Sequence, residues 1–354
     1  MRLSTAGMSN MLAVFVCLVA SSGAGKLSPA HGAERIELSS PVDCVVGENC
    51  HIQSYVDLQA GPGAVDHRCG SATYDGHKGV DFRVRSAADA AEGVRVLAAA
   101  PGVVKGLRDG MRDRLIAPDG RDKSLVAGRE CGNGVVIDHG GGWETQYCHL
   151  KRGSVVVAKG DRVERGAALG EVGYSGAASF AHLHLSVRAK GAVVDPFSGK
   201  QVATAVSCPA DQALVPAAQS NRGGLWRADF ADKLGYTSGA VIDVGFAGGG
   251  LNKRDLEYLR SFPKPGKQST ALVFFARAIN MRAGDRLTLT LEGPDGFSVV
   301  SRGDPMDRNR ALWLSFAGKK LRADSWPSGA YVGEAKVMRG GDVVSSRTQT
   351  LNLN

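Results

Sequence analysis

The sequence predicts an all-β protein, an antiparallel β-sheet domain followed by a smaller β-sandwich of immunoglobulin-like type. Three observations lead there. Between residues 77 and 195, short β-branched runs such as "VRVLAAAPGVVKGL" and "GSVVVAKGDRVERGAALGEVG" are separated by glycines, a strand-and-turn pattern with no helical period. Beyond residue 225, strands alternate again: Leu287, Leu289 and Leu291 are spaced by threonines, and Leu312, Leu314 and Phe316 repeat the spacing. Turn signals fall at Pro294-Asp295-Gly296 and Gly340-Gly341, so about seven strands in about 130 residues suit a sandwich. A chain of 354 residues that is 43% hydrophobic has enough apolar material for more than one core.

Taken in order, residues 1–24 read as a secretory signal. Arg2 lies in a short polar head, an apolar run follows from Met11 to Ala20, and small residues run from Ser21 to Ala24. The run is about half the ~20 residues a spanning helix needs, and no later stretch is apolar for long enough to cross a bilayer. Val14-Phe15-Val16 before Cys17 lacks the small residues of a lipoprotein signal. Residues 25–74 are an irregular segment with a disulfide, 75–208 the sheet domain, 209–224 a linker and 225–354 the sandwich. A short helix is expected around 252–261, and "RDGMRDRLIAPDGRDKSLVAGRE" at 108–130 reads as a long charged loop.

Six cysteines follow the signal: Cys44, Cys50, Cys69, Cys131, Cys148 and Cys208. An even number in an exported chain reads as three disulfides. Cys44 and Cys50 flank a short loop. Cys131 and Cys148 lie symmetrically about His139-Gly140, so a hairpin turning there pairs them. Cys69 with Cys208 follows by elimination. The formal charge of +8 and pI near 9.2 suit a polyanionic partner or simply solubility, and no nucleic-acid partner is expected.

The chemistry concentrates in three short stretches. In "AHLHLSVR" a strand projects His182 and His184 from one face. In "YDGHKGVDF", His77 and Asp81 flank Gly79, whose torsional freedom lets both side chains meet. Two imidazoles and a carboxylate make a three-ligand set with one open position, as in a catalytic zinc site. In "ETQYCHL", alternation puts Thr145, Tyr147 and His149 on one face and Cys148 on the other, leaving His149 free to join the site. Tyr147 reads equally as core or groove wall. Trp226, Trp313 and Trp326 read as packing in the second domain, and His31, His51, His67 and His139 as structural.

In this order the motifs resemble the M23 peptidases, the LytM or lysostaphin-type zinc endopeptidases of bacterial cell walls. The resemblance spans residues 75–197: H-x-G-x-D at 77–81, "GNGVVIDHG" at 132–140, Y-x-H at 147–149, "KGDRVERGAALGEVG" at 159–173 and H-x-H at 182–184. It implies that His77, Asp81 and His184 bind zinc, with His149 and His182 as catalytic partners beside the activated water. Phe180-Ala181 replaces the family's common Gly-Pro, and Ser186 stands where a glutamate is frequent. Both predict an altered groove rather than lost activity.

The implied function is an exported zinc metalloendopeptidase cutting peptide cross-links of peptidoglycan. A periplasmic location fits better than an extracellular or wall-associated one. Two rivals are a non-enzymatic wall-binding regulator of other hydrolases and a zinc endopeptidase with a protein substrate.

Overall fold

The computed structural model describes residues 35–354 apart from 118–119, 203–207, 209–222, 259–261 and 263. The expected signal at 1–24 and nearly all of the expected linker lie outside the described residues.

The first strands build one eight-stranded antiparallel sheet in the order β1-β2-β9-β6-β5-β4-β7, with β10 paired to β9. These are β1 (Cys50–Ser54), β2 (Val80–Val84), β4 (Gly102–Arg108), β5 (Asn133–Gly140), β6 (Trp143–Leu150), β7 (Arg162–Val163), β9 (His182–Ala189) and β10 (Ala192–Val194). A separate pair joins β3 (Arg95–Leu97) to β8 (Ala168–Glu171). Period-two alternation decides which side chains enter the apolar core. Val80, Phe82 and Val84 of β2 and Leu183, Leu185 and Val187 of β9 point into the core with Tyr147. Asp81, opposite His184, and Arg83, opposite His182, leave by the other face. Helix α1 (Ala87–Ala91) begins where Ser86 accepts a hydrogen bond from the Asp89 amide, a local N-cap.

Strand β1 comes from the segment the sequence reading set apart from the sheet domain; its pairing with β2 makes it the sheet's edge. The hairpin joining β5 to β6 turns at Gly141-Gly142, both at positive φ, two residues later than expected. Paired glycines with φ > 0 are what a tight hairpin turn demands. The three expected disulfides are present: Cys44–Cys50, Cys69–Cys208 and Cys131–Cys148. Trp226 packs in the first core against Phe82, Phe197 and Phe230, not in the second as expected.

After α2 (Ala228–Ala231) and β11 (Ala240–Ala247) comes the short helix α3 (Lys253–Tyr258), close to the stretch predicted. Strands β12 (Ala271–Met281), β13 (Arg286–Glu292), β14 (Ser298–Arg302), β15 (Arg310–Lys320), β16 (Gly329–Arg339) and β17 (Asp342–Leu353) complete two antiparallel sheets. Their orders are β11-β12-β15 and β14-β13-β16-β17, and both feed one core that includes Phe274, Leu289, Tyr331 and Val337. No helix among the described residues is long and apolar enough to cross a membrane.

The two cores meet along β1. Asn280 donates to the Gln53 carbonyl at 3.0 Å, and Arg347 to those of Gly47 and Glu48 at 3.0 and 3.1 Å. His51 is buried here, and burial together with Arg347, Arg83 and Arg85 pushes its pKa down to about 3. The folded chain therefore refuses a proton that the unfolded chain accepts below its value of 6.5. Stability present above pH 6.5 is lost by about 1.4 kcal/mol per pH unit as pH falls toward the folded value. Between pH 7 and 5, His51→Gln is expected to lose about 2 kcal/mol less stability than the parent chain. Urea midpoints at the two pH values check this, and equal losses refute it.

Candidate metal centre

The site stands on β2 and β9 and the loop before β2. His77 Nε2, Asp81 Oδ1 and His184 Nδ1 converge, separated by 3.1 Å, 2.8 Å and 3.2 Å, and form a potential metal-holding group. Gly79 is needed for space. Its φ is not left-handed, but a Cβ there would sit 2.5 Å from His184 Nε2 and 2.6 Å from the Leu185 carbonyl oxygen. Close approach, rather than the torsional freedom expected from sequence, explains the glycine.

The other nitrogen of each ring decides what the converging atoms offer. His77 Nδ1 donates to the Tyr55 carbonyl at 2.6 Å. Ser186 Oγ donates to the Lys78 carbonyl at 2.7 Å and lies 3.0 Å from His184 Nε2, so it accepts that ring's proton. Both imidazole protons are committed outward, which leaves two lone pairs and a carboxylate facing one another. Such a set fits a cation. Burial opposes charge on Asp81, but His77 and His182 outweigh it and hold its carboxyl well below the usual range. Burial likewise disfavours a charged His77, yet Asp81 and the Tyr55 carbonyl raise its pKa, the same local preference for positive charge.

His149 and His182 flank this set, their rings 4.6 Å apart. Each donates Nδ1–H to a backbone carbonyl: His149 to Ser175 at 2.7 Å, His182 to Phe180 at 2.8 Å. Both therefore present Nε2 as a proton acceptor, and His182 Nε2 is 3.6 Å from Asp81 Oδ1. Burial, reinforced by His182 and His184, lowers His149 well below its ordinary value. Burial also brings His182 down to about 4, with Asp81 partly offsetting it. Both rings are neutral at pH 7.

His149 does not arrive by alternation. Tyr147 lies opposite Leu185 and points into the core, while Cys148 lies opposite His184, on the site's own face. Strict alternation would send His149 inward with Tyr147. Instead the β5–β6 register slips between Asn133 and Gly134, and His149 takes a left-handed backbone with φ 64. A bulge of this kind re-aims one side chain. Its amide bonds the Cys131 carbonyl at 2.8 Å and its carbonyl accepts from Gly173 at 3.0 Å, pinning the turned residue. The 108–130 loop supports the same corner, since Asp113 accepts from the Tyr174 and Arg152 amides at 3.0 and 2.9 Å.

The structure thus brings together His77, Asp81, His149, His182 and His184. Tyr55, whose carbonyl holds His77 Nδ1, was not singled out from sequence, and Ser186, which holds His184 Nε2, was read only as altering the groove. His139 is held by the Pro101 carbonyl and Thr145, and His67 stacks on Phe197 and packs against the Tyr55 ring; neither is among the converging groups.

Residues 75–196 match the sequence model of peptidase family M23. A stretch of 64 residues is 39% identical to peptidoglycan DD-endopeptidase ShyA of Vibrio cholerae, covering 18% of this chain and 14% of that protein. Among solved structures, the catalytic domain of the prophage-encoded M23 protein EnpA from Enterococcus faecalis is 21% identical. That match covers 46% of this chain and 94% of the other, with a TM-score of 0.28. A zinc-containing peptidase from Vibrio cholerae is also 21% identical, over 44% of this chain and 39% of that one, with a TM-score of 0.26.

Proposed function

Because this chain belongs to peptidase family M23 through residues 75–196, we propose that it is an exported zinc metalloendopeptidase acting on the peptide cross-links of bacterial peptidoglycan. One observation carries the reading. His77 Nε2, Asp81 Oδ1 and His184 Nδ1 converge, the outer nitrogen of each ring being held by the Tyr55 carbonyl or Ser186, beside two imidazoles whose Nδ1 atoms are held by backbone carbonyls so that both present Nε2. His77, Asp81 and His184 would hold the ion.

Zinc in such a set supplies Lewis acidity and brings the pKa of water from 15.7 to about 7. The remaining work falls to the chain. Nε2 of His149 or His182 takes a proton from the attacking water and returns one to the leaving amine nitrogen. Once protonated, the same nitrogen donates to the oxyanion that develops on the scissile carbonyl. The Ser175 and Phe180 carbonyls keep both rings in the accepting tautomer throughout.

The ShyA match suggests a peptidoglycan substrate, and three disulfides suit an oxidising compartment such as a periplasm. The complete ligand set and both flanking histidines favour an enzyme over a non-catalytic wall-binding regulator. The test incubates the oxidised chain with isolated peptidoglycan, with and without a chelator, and identifies muropeptides by mass spectrometry. Chelator-sensitive loss of cross-linked dimers, restored by zinc, is expected. A zinc-loaded protein that leaves every muropeptide unchanged overturns the cell-wall reading in favour of a protein substrate or a regulatory role.

A further inference from the structure

The C-terminal sandwich reaches the site through Arg83. Two positions after Asp81 and directly opposite His182, Arg83 leaves the sheet on the ligand face and is 0% exposed. Its guanidinium donates to Gln53 Oε1 at 2.7 Å and pairs with the carboxylate of Glu257 on α3. Glu257 is itself buried and lies 3.4 Å from Arg277. Arg277 is fixed in turn by Asp243 at 2.8 Å, the Leu256 carbonyl at 2.8 Å and the Arg85 carbonyl at 2.7 Å.

Arg83 also lies over the Phe180 ring, 4.6 Å from its centroid. That ring packs on the His182 imidazole at 4.4 Å, and the Phe180 carbonyl is the acceptor that sets the His182 tautomer. Phe180 therefore touches His182 with both its side chain and its backbone. A planar guanidinium on an aromatic face fixes the ring plane as an aliphatic contact would not. Apolar residues would join two sheets at less desolvation cost than buried charge. What the charged chain adds is direction, from α3 through one guanidinium to one imidazole.

We propose that Glu257 is a positioning residue for His182, acting through Arg83 and Phe180, so that the C-terminal sandwich is a fixed part of the hydrolytic apparatus. This rests on the zinc endopeptidase reading of the site. The test compares the full oxidised chain with Glu257→Gln, which keeps the volume and one acceptor oxygen, with Phe180→Leu and with the double variant. Turnover and KM are measured on a cross-linked muropeptide, zinc content on the same samples, and the His182 imidazole NMR resonances on metal-free protein.

Each single variant is expected to lose about 10- to 100-fold in kcat, as a displaced catalytic group does, with zinc content unchanged. The double variant should be no slower than the slower single one. The His182 resonances should move in both single variants. Unmoved His182 resonances, unchanged kcat, or multiplicative losses in the double variant would make Glu257 an interface anchor and overturn the proposal. If the parent chain hydrolyses nothing, the enzyme reading fails separately, and the His182 resonances still decide whether Glu257 is coupled to that ring.

Discussion

Replacing His184 with alanine is expected to lower hydrolysis by more than about 10³-fold and to leave the purified protein without stoichiometric zinc, because the chemistry the ion supplies is lost as a whole. His184 supplies one of three converging donors, and its loss leaves His77 and Asp81 with only two. Excess zinc restores little, since the nearest remaining imidazole nitrogen, His182 Nε2 at 3.6 Å from Asp81 Oδ1, stands beside the converging set rather than in it. Ser186→Ala provides the graded comparison. It removes the acceptor that holds the His184 proton outward, and such outer partners typically cost about 10–100-fold in metal affinity or activity. That variant should recover rate as zinc is raised. Zinc analysis with rates across a metal titration checks both, and a fully active, zinc-free His184→Ala chain would sink the assignment of the metal site.

Substituting His149 or His182 by alanine is expected to cost about 10²–10⁴-fold in turnover, the range of a lost acid–base group, with zinc content retained. Zinc content separates these variants from His184→Ala. Both rings are held neutral by burial, so each accepts a proton until pH falls through its lowered value. The acid limb of kcat/KM should accordingly lie well below pH 6.5, the direction in which both groups are shifted, and the ion's own charge moves it further the same way. A limb near 6.5 would mean that neither ring is as buried in the working enzyme as in this fold. Retention of full rate by either variant would remove that histidine from proton transfer.

Much of the site was legible because its residues sit close together in sequence. H-x-H on a strand puts His182 and His184 on one face, and antiparallel pairing then sets Asp81 opposite His184. His149 was predicted rightly for a reason the structure replaces. Alternation assumes an unbroken strand, and only the register slip beside Asn133 turns this ring outward. Tyr55 escaped notice because what it contributes is a carbonyl, which no side-chain pattern marks. The link from Glu257 to Arg83 joins residues 174 positions apart, and its partners are fixed only once both cores have packed. The hairpin centre moved by two residues because Gly140, Gly141 and Gly142 all tolerate the turn, and strand pairing chose among them.

The place of β1 bears on how this protein can be divided. The family match begins at residue 75, yet the strand closing the sheet beside Asp81 and the carbonyl steering His77 both precede it. A fragment trimmed to the matched interval keeps all five residues of the proposed site, His77, Asp81, His149, His182 and His184. It also bares the backbone of β2 as an unprotected ribbon ready to pair with a neighbour, and frees His77 to turn its proton inward. The interval that the family model recognises is therefore shorter than the sheet that carries the site.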